Sequence, residues 1–111
     1  MQEGNIIRIA LQQNDGKFVK RPAVLQKKIP PFNDWLVCGI SKSTGLEVKD
    51  LDVLISKSDF NFKTWGLDYA GVIRAGFLTT ISTKYIEGTL GYINAETHKK
   101  ILNNIARLLS N

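Results

Sequence analysis

Apolar residues fall along this chain in short runs separated by polar or turn-forming stretches, a spacing that predicts strands for most of its length. Residues 5–11, Asn-Ile-Ile-Arg-Ile-Ala-Leu, are rich in β-branched isoleucine and read as a first strand. The polar stretch 12–20 carries Asn14-Asp15-Gly16, a turn signal because Gly takes positive φ and Asn and Asp bond their own backbone. Residues 21–25 predict a second strand, with Pro22 at its start or on an edge, since proline donates nothing to a ladder. Pro30-Pro31 and Asn33-Asp34 predict the next turn. Residues 35–40, Trp-Leu-Val-Cys-Gly-Ile, are apolar without a break, as expected of a strand buried on both faces.

The second half continues in the same way until its end. Residues 41–45 read as a small polar loop, 51–55 as a strand and 56–64 as a polar connection. Residues 71–81 predict a strand bent or broken near Gly76, 82–88 fit no single pattern, and 90–93 suit a last short strand. From 95 to 109 the period becomes helical: Ile101, Leu102, Ile105, Leu108 and Leu109 share one face, with Lys99, Lys100, Asn103, Asn104 and Arg107 opposite. Asn94 suits an N-cap, and Glu96 in the first turn suits the helix dipole. Short strands followed by one terminal helix predict a mainly β domain spanning 1–111, a small barrel or curled sheet closed by that helix.

Composition narrows the setting. A chain of 111 residues, 43% hydrophobic, supports one core. Cys38 is the only cysteine, so no internal disulfide forms, and a reducing compartment, the cytoplasm, is expected. The run 35–40 is far too short to cross a bilayer, and Arg8 interrupts the apolar residues near the N-terminus, so no membrane association is expected. The formal net charge is +5, and the excess is local: Lys17, Lys20, Arg21, Lys27, Lys28 and Lys42 share their stretch with one acid, Asp34. Such a bias favours a polyanionic partner, either nucleic acid or an acidic protein segment.

Few constellations carry chemistry. One Cys and one His cannot build a zinc site, no carboxylates stand at cation-loop spacing, and Gly71 and Gly76 are too isolated for a phosphate loop, so no metal or cofactor is expected. His98 lies on or beside the apolar helix face and reads as structural or surface, and Cys38 reads as a small buried hydrophobe. Two strand ends remain. Lys20-Arg21-Pro22 puts a guanidinium where the second strand begins, and Ser41-Lys42-Ser43-Thr44 puts hydroxyls and an ammonium just after the third. If those strands pair, the two ends meet, and an Arg fork with a Ser donor suits a phosphate. Arg74, inside a strand, needs a partner if buried. The plainer readings are a solvated strand end for Arg21, a turn-forming hydroxyl for Ser41 and an ion pair with Asp68 or Asp52 for Arg74.

At these residues the sequence resembles the PemK/MazF family of bacterial toxins. Gly4-Asn5-Ile6-Ile7 resembles the family's opening strand, and Lys20-Arg21-Pro22-Ala23-Val24-Leu25 its Arg-Pro block after a variable loop. Val37-Cys38-Gly39-Ile40-Ser41 is similar to its apolar strand ending in Ile-Thr/Ser. Gly66-Leu67 and Gly71-Val72-Ile73-Arg74 resemble its Gly-Leu and Val-Ile-Arg segments, and 86–93 with the following helix its closing pattern.

The resemblance implies an SH3-like β-barrel with a C-terminal helix, homodimeric, cutting single-stranded RNA without a metal and blocked by an antitoxin. By position, Arg21 would contact the scissile phosphate, Ser41 would hydrogen-bond it and Arg74 would lie near the reacting group, with Lys17, Lys20 and Lys42 expected to bind RNA. The attacking group would be the RNA 2′-hydroxyl, leaving a 2′,3′-cyclic phosphate. A dimer surface could come from the strand around Phe77-Leu78 or from the terminal helix. The chain departs from the pattern at Gly76, where some members carry Asp, and before the Arg-Pro block, where only Asp15 is available. Asp15 and Asp68 are then the candidates for a general base, and the second reading is a barrel that binds nucleic acid or an acidic peptide without cutting.

Overall fold

In the computed structural model, which describes residues 1–12, 15–42 and 44–111, the isoleucine-rich first run forms β1 (Asn5–Gln12). The second strand is far longer than the apolar run 21–25 suggested. β2 (Phe18–Ile29) extends through polar residues at both ends because each end has a strand to pair with: Phe18–Val24 lies along β1, and Ala23–Ile29 along β3 (Asp34–Ser41). β4 keeps only Val53–Ile55 of the predicted strand, because Val48 to Asp52 form a turn in which the Leu51 and Asp52 amides both donate to the Val48 carbonyl. β5 (Gly71–Ser82) and β6 (Ile86–Tyr92) follow, joined by a 3₁₀ turn at Thr83–Tyr85 that accounts for the patternless stretch 82–88. Within the turn 14–16 only Asp15 and Gly16 are among the described residues; Asn14 lies outside them, as does Ser43 of the loop after β3.

The strands make one antiparallel sheet in the order β4-β5-β3-β2-β1-β6. Alternation sends neighbouring residues to opposite faces. Ile6, Val24, Cys38 and Ile40 join Ile73, Trp65 and the helix residues Ile101 and Ile105 in one core. Ile7, Ile9, Ala23, Leu25, Trp35 and Val37 form a second cluster on the other face. The unbroken run 35–40 is therefore a strand buried on both faces, as its pattern predicted.

The expected barrel is not closed by strand pairing: β4 and β6 are the two edges. The gap is bridged instead by the segment read from sequence as a plain polar connection. It contains a 3₁₀ turn at Phe60–Lys63, capped by Asp59, and then seats on β6, where the Thr64 carbonyl accepts the Tyr92 amide at 2.8 Å and the Thr64 hydroxyl donates to the Tyr92 carbonyl at 2.9 Å. Backbone meets backbone here. A Cβ on Gly66 would stand 2.0 Å from the Leu90 carbonyl oxygen, and one on Gly91 would stand 2.2 Å from that of Thr64, so both positions require glycine. Asn61, buried, ties this segment to the helix start, accepting from the Asn94 amide at 2.8 Å and donating to Thr97 at 2.9 Å.

The helix α1 (Ala95–Ser110) begins as read: the Asn94 side chain accepts from the Thr97 amide at 2.8 Å. Its buried face is narrower than predicted. Ile101 and Ile105 pack into the core, while Leu108 and Leu109 are exposed. Asn104, expected on the polar side, is buried and donates to the Leu51 carbonyl at 3.0 Å. His98 is structural, its Nε2 donating to the Gln26 carbonyl at 2.9 Å where β2 bulges between Leu25 and Lys27. None of the helices among the described residues is long and apolar enough to cross a membrane.

Candidate functional site

Antiparallel pairing of β2 with β3 sets the first half of one strand beside the end of the other. Ala23 lies opposite Gly39, and continuing that register puts Arg21 opposite Ser41. The two stretches that the sequence singled out thus meet, with Ser41 at the end of β3 and Arg21 inside β2 rather than at its start. They line a cleft of about 410 Å³ that also takes in Pro22, Lys42 and, from β5, Arg74.

Arg74 reaches the cleft through an irregularity. β3 pairs regularly with β5 up to Cys38–Leu78, and pairing resumes at Ile40–Ile73, so the residues 74–77 bulge opposite Gly39. This is the bend foreseen near Gly76. It breaks the two-residue alternation, and both Arg74 and Phe77, three positions apart, line the same cleft while Ala75 stays in the core. The bulge is held by Asp52, whose Oδ1 accepts the Ala75 amide at 3.0 Å. Its Oδ2 accepts the Val48 amide at 2.9 Å and pairs with Arg74 Nε at 3.2 Å. The Asp52 side chain is 1% exposed and that of Arg74 35%, so the carboxylate stands behind the guanidinium rather than in the cleft. Of the two partners considered for Arg74, Asp52 is the one it takes.

Two aromatic residues that motif reading did not assign to this site complete it. Tyr69, in the loop before β5, carries Lys42 Nζ over its ring at 4.4 Å from the centroid. Burial pushes its phenol pKa up and Asp68 adds to the push, while Arg21 and Arg8 oppose it. Phe77 lies beside Gly39, where a Cβ would stand 3.6 Å from its ring, and it remains 60% exposed. A loop tyrosine has no periodicity to betray it, and Phe77 is aimed by a bulge whose extent depends on pairing. Arg8, on β1, was likewise not singled out.

The remaining expected contacts lie elsewhere. Lys20, on the opposite side of β2 from Arg21, pairs with Glu87 of β6 at 3.2 Å, and Lys27 pairs with Glu3 at 3.7 Å. Lys28 sits 4.7 Å over the Trp35 ring. The basic run in the sequence is thus divided between faces and partly neutralised by acids distant along the chain. Lys17 belongs to the turn before β2, where its amide donates to the Asp15 carboxylate at 2.9 Å; neither Asp15 nor Lys17 lines the cleft. Asp68 is exposed beside Tyr69. Cys38 is buried against the Ala75 carbonyl. Burial, with a smaller contribution from Asp52 and a partial offset from Gln26, pushes its thiol up to about 12, which leaves no thiolate for nucleophilic chemistry.

An electropositive cleft with two guanidinium groups, a hydroxyl, an ammonium and two rings suits a phosphodiester with unpaired bases beside it. The sequence matches no family model and no curated protein. Solved structures, in contrast, match it nearly end to end. The toxin MazF-mt6 of Mycobacterium tuberculosis superimposes with a TM-score of 0.69 at 17% identity, over 95% of both chains. An endoribonuclease in complex with its cognate antitoxin, from a mycobacterial species, gives 0.72 at 18% identity over 98% of this chain and 94% of that one. A chain of the MazE–MazF structure from Deinococcus radiodurans gives 0.70 at 14% identity over 99% of this chain and 95% of that one. The fold implied by the sequence resemblance is the fold found.

Proposed function

We propose that this chain is the toxin half of a toxin–antitoxin pair, an endoribonuclease that cuts single-stranded RNA without a metal. The observation that carries this reading is the convergence of Arg21, Ser41, Lys42 and Arg74 in one cleft, on a fold shared with MazF toxins. In the reaction the RNA 2′-oxygen bonds to the adjacent phosphorus and the bond from phosphorus to the 5′-oxygen breaks. The 2′-hydroxyl proton is lost, the 5′-oxygen gains one, and a 2′,3′-cyclic phosphate remains. Negative charge grows on the non-bridging oxygens as the phosphorus becomes five-coordinate, and fixed donors there lower the barrier. Arg21 offers its planar fork to those oxygens, and among the described residues no acid pairs with it. Ser41 supplies a hydroxyl, and Arg74, held by Asp52, supplies a second positive charge. A guanidinium makes a poor base, so the 2′-proton passes to water or to a carboxylate from outside the cleft lining, for which Asp68, the sequence neighbour of Tyr69, is the candidate.

The same reading supplies the partners. An antitoxin with an acidic segment would cover the cleft by charge complementarity, and the exposed Leu108 and Leu109 offer an apolar face to a second copy of the chain. The expected setting is the cytoplasm. The deciding experiment is incubation of the purified chain with mixed single-stranded RNA in excess chelator, beside Arg21→Ala. Discrete fragments ending in cyclic phosphate, lost in the variant, support the assignment. Intact RNA refutes the nuclease; if that RNA is nonetheless bound in a salt-dependent way, the chain is a binding module, a reading favoured by the lack of a carboxylate among the described residues that line the cleft.

A further inference from the structure

Phe77 is an anomaly for a residue in a strand. It is a large apolar ring, 60% exposed, yet it is not at a loop tip, and the bulge of β5 that exposes it also aims Arg74 into the same cleft. Gly39 leaves room for it: the ring lies over a position with no side chain, 3.6 Å from where a Cβ would be. Tyr69 brings a second ring to the cleft, carrying a cation on one face and lying within electrostatic reach of Arg21 and Arg8. Exposed aromatic faces beside phosphate-binding cations are the means by which single-stranded nucleic acid is held without base pairing, since every base offers a π-face. We propose that Phe77 and Tyr69 are base-stacking residues, taking unpaired nucleobases next to the phosphate held at Arg21. This deepens the reading above, on which it rests, and makes the two rings a source of grip and of strand selectivity: paired bases present no free face to them.

The lever is that stacking does not involve phosphate. Loss of one ring should therefore weaken binding at every salt concentration by the same factor, whereas loss of a phosphate contact changes the slope itself. The test uses the full chain and a short single-stranded oligonucleotide in which every sugar is 2′-deoxy, so that it cannot be cut, with one 2-aminopurine along its length. Quenching of that base on binding reports stacking. Phe77→Ala and Tyr69→Ala should each weaken binding about 5- to 100-fold and reduce the quench, with an unchanged salt slope, and Phe77→Trp should restore both. Phe77→Leu, apolar but without a π-face, should behave as Phe77→Ala does. Unaltered affinity in both alanine variants overturns the proposal. So does a loss confined to variants whose sedimentation shows that an oligomer has come apart, which would make Phe77 a contact between copies. Absence of any binding by the parent chain also overturns it. The nuclease reading stands or falls separately on cleavage of ordinary RNA: stacking without cleavage removes that reading alone, and cleavage indifferent to both rings removes this one alone.

Discussion

Arg74 Nε lies 3.2 Å from Asp52 Oδ2, and that carboxylate also accepts the Ala75 and Val48 amides, so one buried acid fixes a cation, a bulge and a turn together. The turn is in turn fastened to α1, where Asn104 donates to the Leu51 carbonyl at 3.0 Å and Arg107 to that of Asp50 at 3.1 Å. Geometry at the cleft therefore depends on a helix that does not line it. Asp52→Ala would orphan two amides, each costing about 1–3 kcal/mol when buried, and release the guanidinium as well. Arg74→Ala leaves Asp52 its two amide donors. Urea denaturation should accordingly show Asp52→Ala to be the more destabilising of the two, by about 1–2 kcal/mol.

Arg21 stands at the cleft with an exposed side chain and no role in the core. Arg21→Ala should reduce RNA cleavage by about 100-fold or more, the usual consequence of deleting one donor to a developing oxyanion. Its thermal unfolding should barely change, since exposed substitutions of this kind fall within about 0.5 kcal/mol. A cleavage time course and a melting curve on the same preparation check both halves.

Closure of the sheet at Thr64–Tyr92 rests on two glycines, and a methyl group is enough to oppose it. Gly91→Ala would place a Cβ 2.2 Å from the Thr64 carbonyl oxygen, against backbone that cannot rotate away. A loss of roughly 3 kcal/mol or failure to fold is expected. Gly88→Ala, on the same strand with nothing within 4 Å, is the matched control and should be close to neutral. Denaturant midpoints for the pair make the comparison.

Cys38 gives the fold a dependence on alkaline pH. Its thiol is raised from an ordinary 9.0 to about 12, so the folded state holds the proton more tightly than the unfolded chain does. The corresponding stability is complete below pH 9 and is lost as pH rises from about 9 towards 12. Tyr69, also raised, acts in the same direction. Chemical denaturation between pH 8 and 11 should show stability falling, and Cys38→Ala should flatten that fall. Alkylation by iodoacetamide at pH 8 should require unfolding.

Much of this was legible in the residues. The strand core at 35–40, the capped helix start at Asn94 and the bend near Gly76 each follow from a local pattern that the rest of the fold does not contradict. Ser41 was legible because β3 ends there at a local turn, whereas Arg21, read as a strand start, lies three residues inside β2. What escaped depends on pairing at a distance. β2 runs to Phe18 and Ile29 because neighbouring strands accept its polar ends. Residues 60–66 gain their role only from β6 and the helix start, and Asn104 is buried only because a turn about fifty residues upstream offers the Leu51 carbonyl. Lys20 looked like part of one basic run until Glu87 arrived from the far end of the chain.

The pairing of β1 with β6 has a last consequence, in time rather than in space. Asn5 lies opposite Tyr92, so the first strand waits for the last before its outer edge is occupied, and the core waits further for Ile101 and Ile105. A chain still being synthesised cannot complete this sheet until β6 has emerged. For a protein whose proposed substrate is RNA, the sheet that carries the cleft is thereby completed only after β6 and α1 have themselves been translated.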